Sequence, residues 1–198
     1  MAEYTSRSFD LLTLGQLLLR LSPPDNDRLS RGDTFVKQVG GAELNVAVGA
    51  SLLGLRTGVI SKLPSHDIGS FMKGKIRSFG VSDDFFMYDD SPSARVGIYY
   101  YENGAYPRKP KVIYDRMNSS FFSLNIDEIP KEVYTASKCF HTTGITLALS
   151  PQIRETTIEM IKRFKEAGTL VSFDVNFRGN LWSGDEAREC ILKILPYV

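Results

Sequence analysis

The sequence predicts an alternating α/β fold with a second, smaller β-sheet projecting from it, on three observations. Short apolar runs, Phe9 to Leu14, Val59 to Leu63 and Leu170 to Phe173, each read as a buried strand. Between them lie stretches with apolar residues at three- and four-residue steps, such as Ile68, Met72, Ile76 and Phe79, which read as helices with one buried face. Two further stretches, Ala94 to Tyr101 and Lys111 to Arg116, are rich in tyrosine and β-branched residues around a loop containing Asn103-Gly104, which suits a hairpin.

Taken in order, Phe9 to Gly15 is a strand ending at a glycine, and Gln16 to Leu21 continues extended. Pro23 to Asp27 is a turn signal, and Arg28 to Lys37 has only Leu29, Phe35 and Val36 to bury, which suits a projecting flap. Gly40-Gly41 then opens a helix whose apolar stripe is Leu44, Ala47, Val48, Ser51, Leu52 and Leu55, closed at Gly54. Two glycines before a helix let a bound molecule lie against bare backbone, where the free N–H groups of the first turn attract polar or anionic oxygens. The same spacing also fits a plain turn feeding a core helix.

After the strand at Val59 to Leu63, Ser65 to Gly69 leads into a helix closed by Gly80, with His66 as a surface loop residue. Gly69 to Lys75 has the glycine and lysine spacing of a phosphate-binding loop, but Ile76 stands where Ser or Thr is required and the segment reads as helix. Asp83 to Asp90 reads as an acidic, aromatic-rich connection, and Ile126 to Ser137 as a loop and short helix. Lys138 to Thr146 is a strand ending in small polar residues, in the position where open α/β sheets bind ligands. His141, between Phe140 and threonines, suits a structural role better than that of a general base. Ser150-Pro151 caps a helix that ends at Gly168, and the next strand delivers Asp174 to Trp182. Alternate residues of an extended segment share a side, so Asp174, Asn176 and Arg178 can converge on one pocket wall. Asp185 begins a helix through Ala187, Cys190, Ile191 and Ile194, after which the alternation expects a strand at Pro196.

Composition narrows the function. The 198 residues are 42% hydrophobic and 24% charged with a net charge of +1, which suits a folded domain with small-molecule partners and neither nucleic acid nor membrane. Cys139 and Cys190 stand alone and only two histidines occur, so no metal site or disulfide framework is expected. Met1-Ala2-Glu3-Tyr4 does not open a leader pattern and no run approaches about 18 apolar residues, so a cytoplasmic location is expected.

Three motifs carry a resemblance. Gly40-Gly41-Ala42-x-x-Asn45-x-Ala47, followed by a small-residue helix and Leu53-Gly54, closely resembles the N-terminal signature of the ribokinase-like (PfkB) sugar kinases in their 2-keto-3-deoxygluconate kinase form. Val112-Ile113-Tyr114-Asp115-Arg116 is similar to a segment whose tyrosine and arginine meet the substrate in those kinases, and Asp174-x-Asn176-x-Arg178 with Leu181-Trp182 is similar to the mid-chain signature. The motifs come in family order from about Phe9 to the last residue.

The resemblance implies a three-layer α/β/α sheet with a lid built from about residues 16–39 and 93–117, residues 1–198 being the N-terminal part of one kinase domain. It implies transfer of the γ-phosphate of ATP, with Mg²⁺, to a hydroxyl of a keto-sugar acid, and a possible homodimer through the lid sheet. The implied acceptor site is Gly40, Gly41, Asn45, Tyr99, Tyr114, Arg116 and Arg178, with Asp174 and Asn176 organising it from behind. A guanidinium suits this task, since its planar fork grips a carboxylate through two hydrogen bonds. The family's catalytic aspartate lies in a Gly-Ala-Gly-Asp motif that these 198 residues lack, so no catalytic base is expected here and most of the ATP pocket lies elsewhere. Two places that are often acidic in the family hold Gln16 and Arg20, which favours an acidic sugar. The other readings are a non-catalytic sugar-binding or dimerisation module and a fructokinase- or ribokinase-type enzyme for a neutral sugar.

Overall fold

The computed structural model describes residues 7–198, so the reading of Met1 to Tyr4 lies outside the described residues. The main elements are β1 (Phe9–Leu14), β2 (Leu18–Ser22), β3 (Val36–Gly40), α1 (Ala42–Leu52), β4 (Thr57–Pro64), α2 (Asp67–Arg77), β5 (Val81–Asp89), β6 (Gly97–Glu102) and β7 (Lys111–Asp115). They continue as α3 (Val133–Ala136), β8 (Ser137–Thr143), α4 (Gly144–Ala148), α5 (Pro151–Glu166), β9 (Leu170–Asp174) and α6 (Gly184–Ile194).

Five strands form a parallel sheet in the order β5-β4-β1-β8-β9. Successive strand residues point to opposite faces, and that alternation builds two cores. Leu12, Leu14, Ile60, Phe140 and Val171 pack with α3 to α6, where the Phe140 and Phe164 rings stack at 4.0 Å. Val59, Leu63 and Val81 pack on the other face with Leu44 and Ala47 of α1 and Met72 and Ile76 of α2. The result is a three-layer α/β/α arrangement. A second sheet, β3-β2-β6-β7, is antiparallel except between β2 and β6.

The elements end where the sequence chemistry ends them. Ser150 Oγ accepts from the Ile153 amide at the start of α5, and Ser183 forms a capping box with Glu186 that starts α6. Gly69 to Lys75 lies within α2, capped by His66, whose exposed ring accepts from the Ile68 amide.

Four expectations change. Asp83 to Asp90 is largely the edge strand β5, because buried Asp83 is paired with Lys73 at 3.1 Å and Arg77 at 2.5 Å and so fits a strand that inserts Val81 and Phe86. The strand at 138–146 stops at Thr143, whose hydroxyl accepts from the Ile145 amide and starts α4. The stripe of α1 buries Leu44 and Ala47 but leaves Leu52 75% and Leu55 47% exposed, since none of the described residues cover the last turn. After α6 the chain forms a 3-10 turn at Leu195–Tyr197, not a strand.

Gly144 is fixed by a close approach, since a Cβ there would lie 2.1 Å from the Val175 carbonyl oxygen. Backbone cannot yield as a side chain does. Gly144→Ala is expected to destabilise the chain by about 2 kcal/mol, read as a lower urea midpoint; an unchanged midpoint would contradict the packing described.

Candidate functional site

The carboxyl end of β1, the amino terminus of α1 and the second sheet enclose a cavity of about 490 Å³. The main sheet delivers Gln16 after β1, Ile145 in α4, and Arg178, Asn180 and Leu181 from the loop after β9. The first turn of α1 and its cap deliver Gly41, Ala42, Glu43 and Asn45, and the second sheet delivers Leu18, Tyr99, Tyr114, Asp115, Arg116 and Met117. This is the end of the strands at which α/β sheets hold ligands.

Gly41 caps α1 with φ 155° and ψ 138°, a backbone region essentially reserved for glycine, and offers no side chain to the helix. The amides of the first turn therefore border the cavity with their positive end of the helix dipole. Gly40 lies just behind, at the end of β3, where a methyl group would come 2.6 Å from the Tyr99 hydroxyl oxygen. Tyr99 and Tyr114 are register partners on β6 and β7 with ring centroids 5.9 Å apart, and burial pushes the Tyr99 phenol up.

Half-buried Arg116 lies 5.6 Å from the Tyr114 ring centroid and donates from Nε to Gln16 Oε1 at 2.8 Å. Arg178 is exposed on the facing loop, and among the described residues its guanidinium makes only a long contact, 3.5 Å, to its neighbour's carbonyl. Among the described residues neither arginine pairs with a carboxylate within 4.0 Å. The carboxylates of the wall are otherwise engaged. Asp115 binds Arg95 at 2.8 Å. Glu43, 2% exposed, accepts at Oε1 from Thr143 Oγ1 at 2.6 Å and Thr146 Oγ1 at 2.7 Å, and burial raises its carboxyl above the usual range.

Six of the residues named from sequence thus meet in one cavity: Gly41, Asn45, Tyr99, Tyr114, Arg116 and Arg178. Asp174 and Asn176 do not line it. The strand stops at Asp174, whose Oδ1 accepts from the Asn176 amide at 2.9 Å, and Asn176 turns the chain with φ 33°. Alternate residues of an extended segment share a side, but this segment is not extended. Arg20 is also outside the cavity: its guanidinium lies 4.3 Å from the Tyr101 ring centroid and its Nε donates to Ser22. His141 bonds Ser172 through Nδ1 at 3.0 Å within the sheet, has a pKa lowered by burial and does not line the cavity.

Sequence reasoning assigned no role to Glu43, Asp115 or Asn180, and gave Gln16 only as a departure from pattern. The one available signal was a glutamate next to Leu44 on the buried side of a helix. Among the described residues no three His, Cys, Asp or Glu side chains gather to hold a metal, and no helix is long and apolar enough to cross a membrane.

The family profile described as pfkB family carbohydrate kinase matches residues 8–198. The chain is 39% identical over 189 residues to the 2-dehydro-3-deoxygalactonokinase of Haloferax volcanii, covering 96% of this chain and 58% of that protein. The crystal structure of 2-dehydro-3-deoxygluconokinase from Thermotoga maritima superposes with a TM-score of 0.90 at 34% identity, over 96% of this chain and 58% of that one. A Pyrococcus horikoshii sugar kinase in complex with ATP superposes with a TM-score of 0.78 at 28% identity, over 95% of this chain and 60% of that one. The chain therefore spans somewhat more than half the length of these relatives.

Proposed function

This chain belongs to the pfkB family of carbohydrate kinases, and on that premise we propose that it forms the acceptor site of an ATP-dependent kinase for keto-sugar acids of the 2-keto-3-deoxygluconate class. The observation that carries the reading is a pair of guanidinium groups, Arg116 and Arg178, lining one cavity with no carboxylate partner for either among the described residues.

The arginines grip the acid group of the sugar, Arg116 from the second sheet and Arg178 from the loop after β9. Asn45, Asn180 and the tyrosine hydroxyls are placed to bond its hydroxyls, and the bare backbone at Gly41 lets the sugar approach the amides of α1. The second sheet covers the cavity and excludes water that would otherwise take the phosphate. When bound, ATP would supply the phosphoryl group and Mg²⁺ would neutralise its charge. Since the described residues hold no acidic cluster and no Gly-Ala-Gly-Asp stretch occurs, no step of the transfer itself is assigned to this chain's side chains. Exposed Val36, Val112 and Ile113 on the outer strands of the second sheet support its use as a contact with a second copy.

A neutral ketose would leave the guanidinium of half-buried Arg116 without a counter-charge, which argues for the acid. Calorimetric titration with 2-keto-3-deoxygluconate and with fructose tests this. The acid is expected to bind at least about a hundredfold more tightly, as two charge-assisted contacts imply. Equal affinities, or tighter binding of fructose, would overturn the proposal.

A further inference from the structure

Gln16 lies two residues beyond β1, is 3% exposed, and uses both ends of its amide on the loop that leaves β7. Its Nε2 donates to the Arg116 carbonyl at 3.0 Å and to Ser119 Oγ at 2.7 Å, while its Oε1 accepts from Arg116 Nε at 2.8 Å. One amide therefore holds the main chain and the side chain of the same arginine. The slot that admits it exists because residue 97 is glycine: a Cβ there would lie 3.0 Å from Gln16 Nε2 and 3.3 Å from the Arg116 Cα. The loop is tied onward to the segment that enters β6, since the Ser120 amide donates to the Arg95 carbonyl at 2.8 Å and the Arg95 amide to Ser120 Oγ at 3.2 Å, and Phe121 just beyond it packs in the core of the main sheet.

An arginine offers five N–H groups in a planar fork. When Nε is committed to a fixed acceptor, the two terminal nitrogens remain, and they are the pair that meets a carboxylate end-on. We propose that Gln16 is a positioning residue, holding Arg116 by Nε so that both terminal nitrogens face the acid group of the acceptor sugar. The proposal rests on the reading of the cavity as a sugar-acid site. It assigns to the neutral amide after β1 a task that composition and spacing alone did not show: ordering a long, flexible cation before the ligand arrives, so that less freedom is lost on binding.

The test compares the parent, Gln16→Leu and Gln16→Glu, each titrated with 2-keto-3-deoxygluconate and with the neutral 3-deoxyhexulose of the same chain length. Gln16→Leu removes the acceptor and is expected to lower affinity for the acid about tenfold and for the neutral sugar less than about twofold. Gln16→Glu keeps an acceptor for Nε but sets a carboxylate against the guanidinium and loses the donor to the Arg116 carbonyl, so it is expected to lower the acid affinity at least about tenfold while the neutral-sugar affinity changes less than about twofold. General damage to the fold lowers both affinities together, so an unchanged ratio of acid to neutral affinity in Gln16→Leu overturns the positioning role. A parent that shows no preference for the acid overturns the reading of the cavity itself. Arginine-selective ¹⁵N spectra of the parent give a readout independent of any variant. The Arg116 Nε–H is expected to be protected from solvent exchange before ligand is added, and rapid exchange there would also overturn the proposal.

Discussion

Replacing Arg116 with alanine is expected to weaken binding of a keto-sugar acid by roughly two to three orders of magnitude, the equivalent of two lost charge-assisted hydrogen bonds. The melting temperature is expected to fall by only about 2–4 °C. The two effects separate because the groups do. The guanidinium faces the cavity, while the backbone of residue 116 keeps its bond from Gln16 Nε2, which in turn keeps Ser119. What alanine strands inside the protein is Gln16 Oε1, worth on the order of 1 kcal/mol. Arg116→Lys keeps the charge without the fork and is expected to fall between alanine and the parent. In a phosphoryl-transfer assay of an active protein carrying this chain, the loss belongs in KM more than in kcat, because the acid group does not react. Calorimetry on parent and variants is the check, and equal affinities in parent and alanine variant would remove Arg116 from the site.

The sequence made much of this site legible because its parts obey local rules. Gly41 opens a helix, Tyr99 and Tyr114 lie on strands with clear β composition, and Arg116 and Arg178 sit in short segments with a specific pattern. Their convergence follows from topology: β6 and β7 join β2, and β2 follows β1, so the second sheet is tethered beside the strand ends of the first. What stayed hidden depends on residues far apart. Glu43 looks like an ordinary first-turn acid that favours a helix dipole, and it is buried only because hydroxyls 100 and 103 residues later meet it. Asp83 made β5 look like a loop, because its partners Lys73 and Arg77 lie on the preceding helix. At Asp174 and Asn176 the period-two argument assumed a strand where a side-chain-to-backbone bond makes a turn.

Glu43 gives the largest expected stability effect. Glu43→Ala removes the acceptor shared by Thr143 and Thr146, leaves two buried O–H donors without an acceptor and opens space against Gly15, whose added Cβ would meet the glutamate at 2.2 Å. The expected cost is roughly 3–5 kcal/mol, a large share of the roughly 5–15 kcal/mol that a domain has. Glu43→Gln keeps an oxygen for both hydroxyls and is expected to fold like the parent near pH 4. The two differ in their response to pH. Burial raises the Glu43 pKa in the folded chain, against the bonds from Thr143 and Thr146, the bond from its own amide and the field of Arg116, which lower it. Above the unfolded value, about 4.3, the unfolded chain releases a proton that the folded chain keeps. Stability from this group is therefore fully present below that pH and lost as pH rises through the folded pKa, at up to about 1.4 kcal/mol per pH unit. Asp83 and Asp89 are shifted down and act in the opposite sense, so the difference between parent and Glu43→Gln is the quantity to follow, because those terms cancel in it. Urea midpoints from about pH 4 to pH 8 are expected to show the glutamine variant gaining on the parent as pH rises; parallel curves would mean that Glu43 titrates normally. Glu43 also bears on the site: its carboxylate, as it forms, shares the field of Arg116 with an anionic ligand, so affinity for a sugar acid is expected to weaken in the parent, and to hold in Glu43→Gln, as pH rises through that same range.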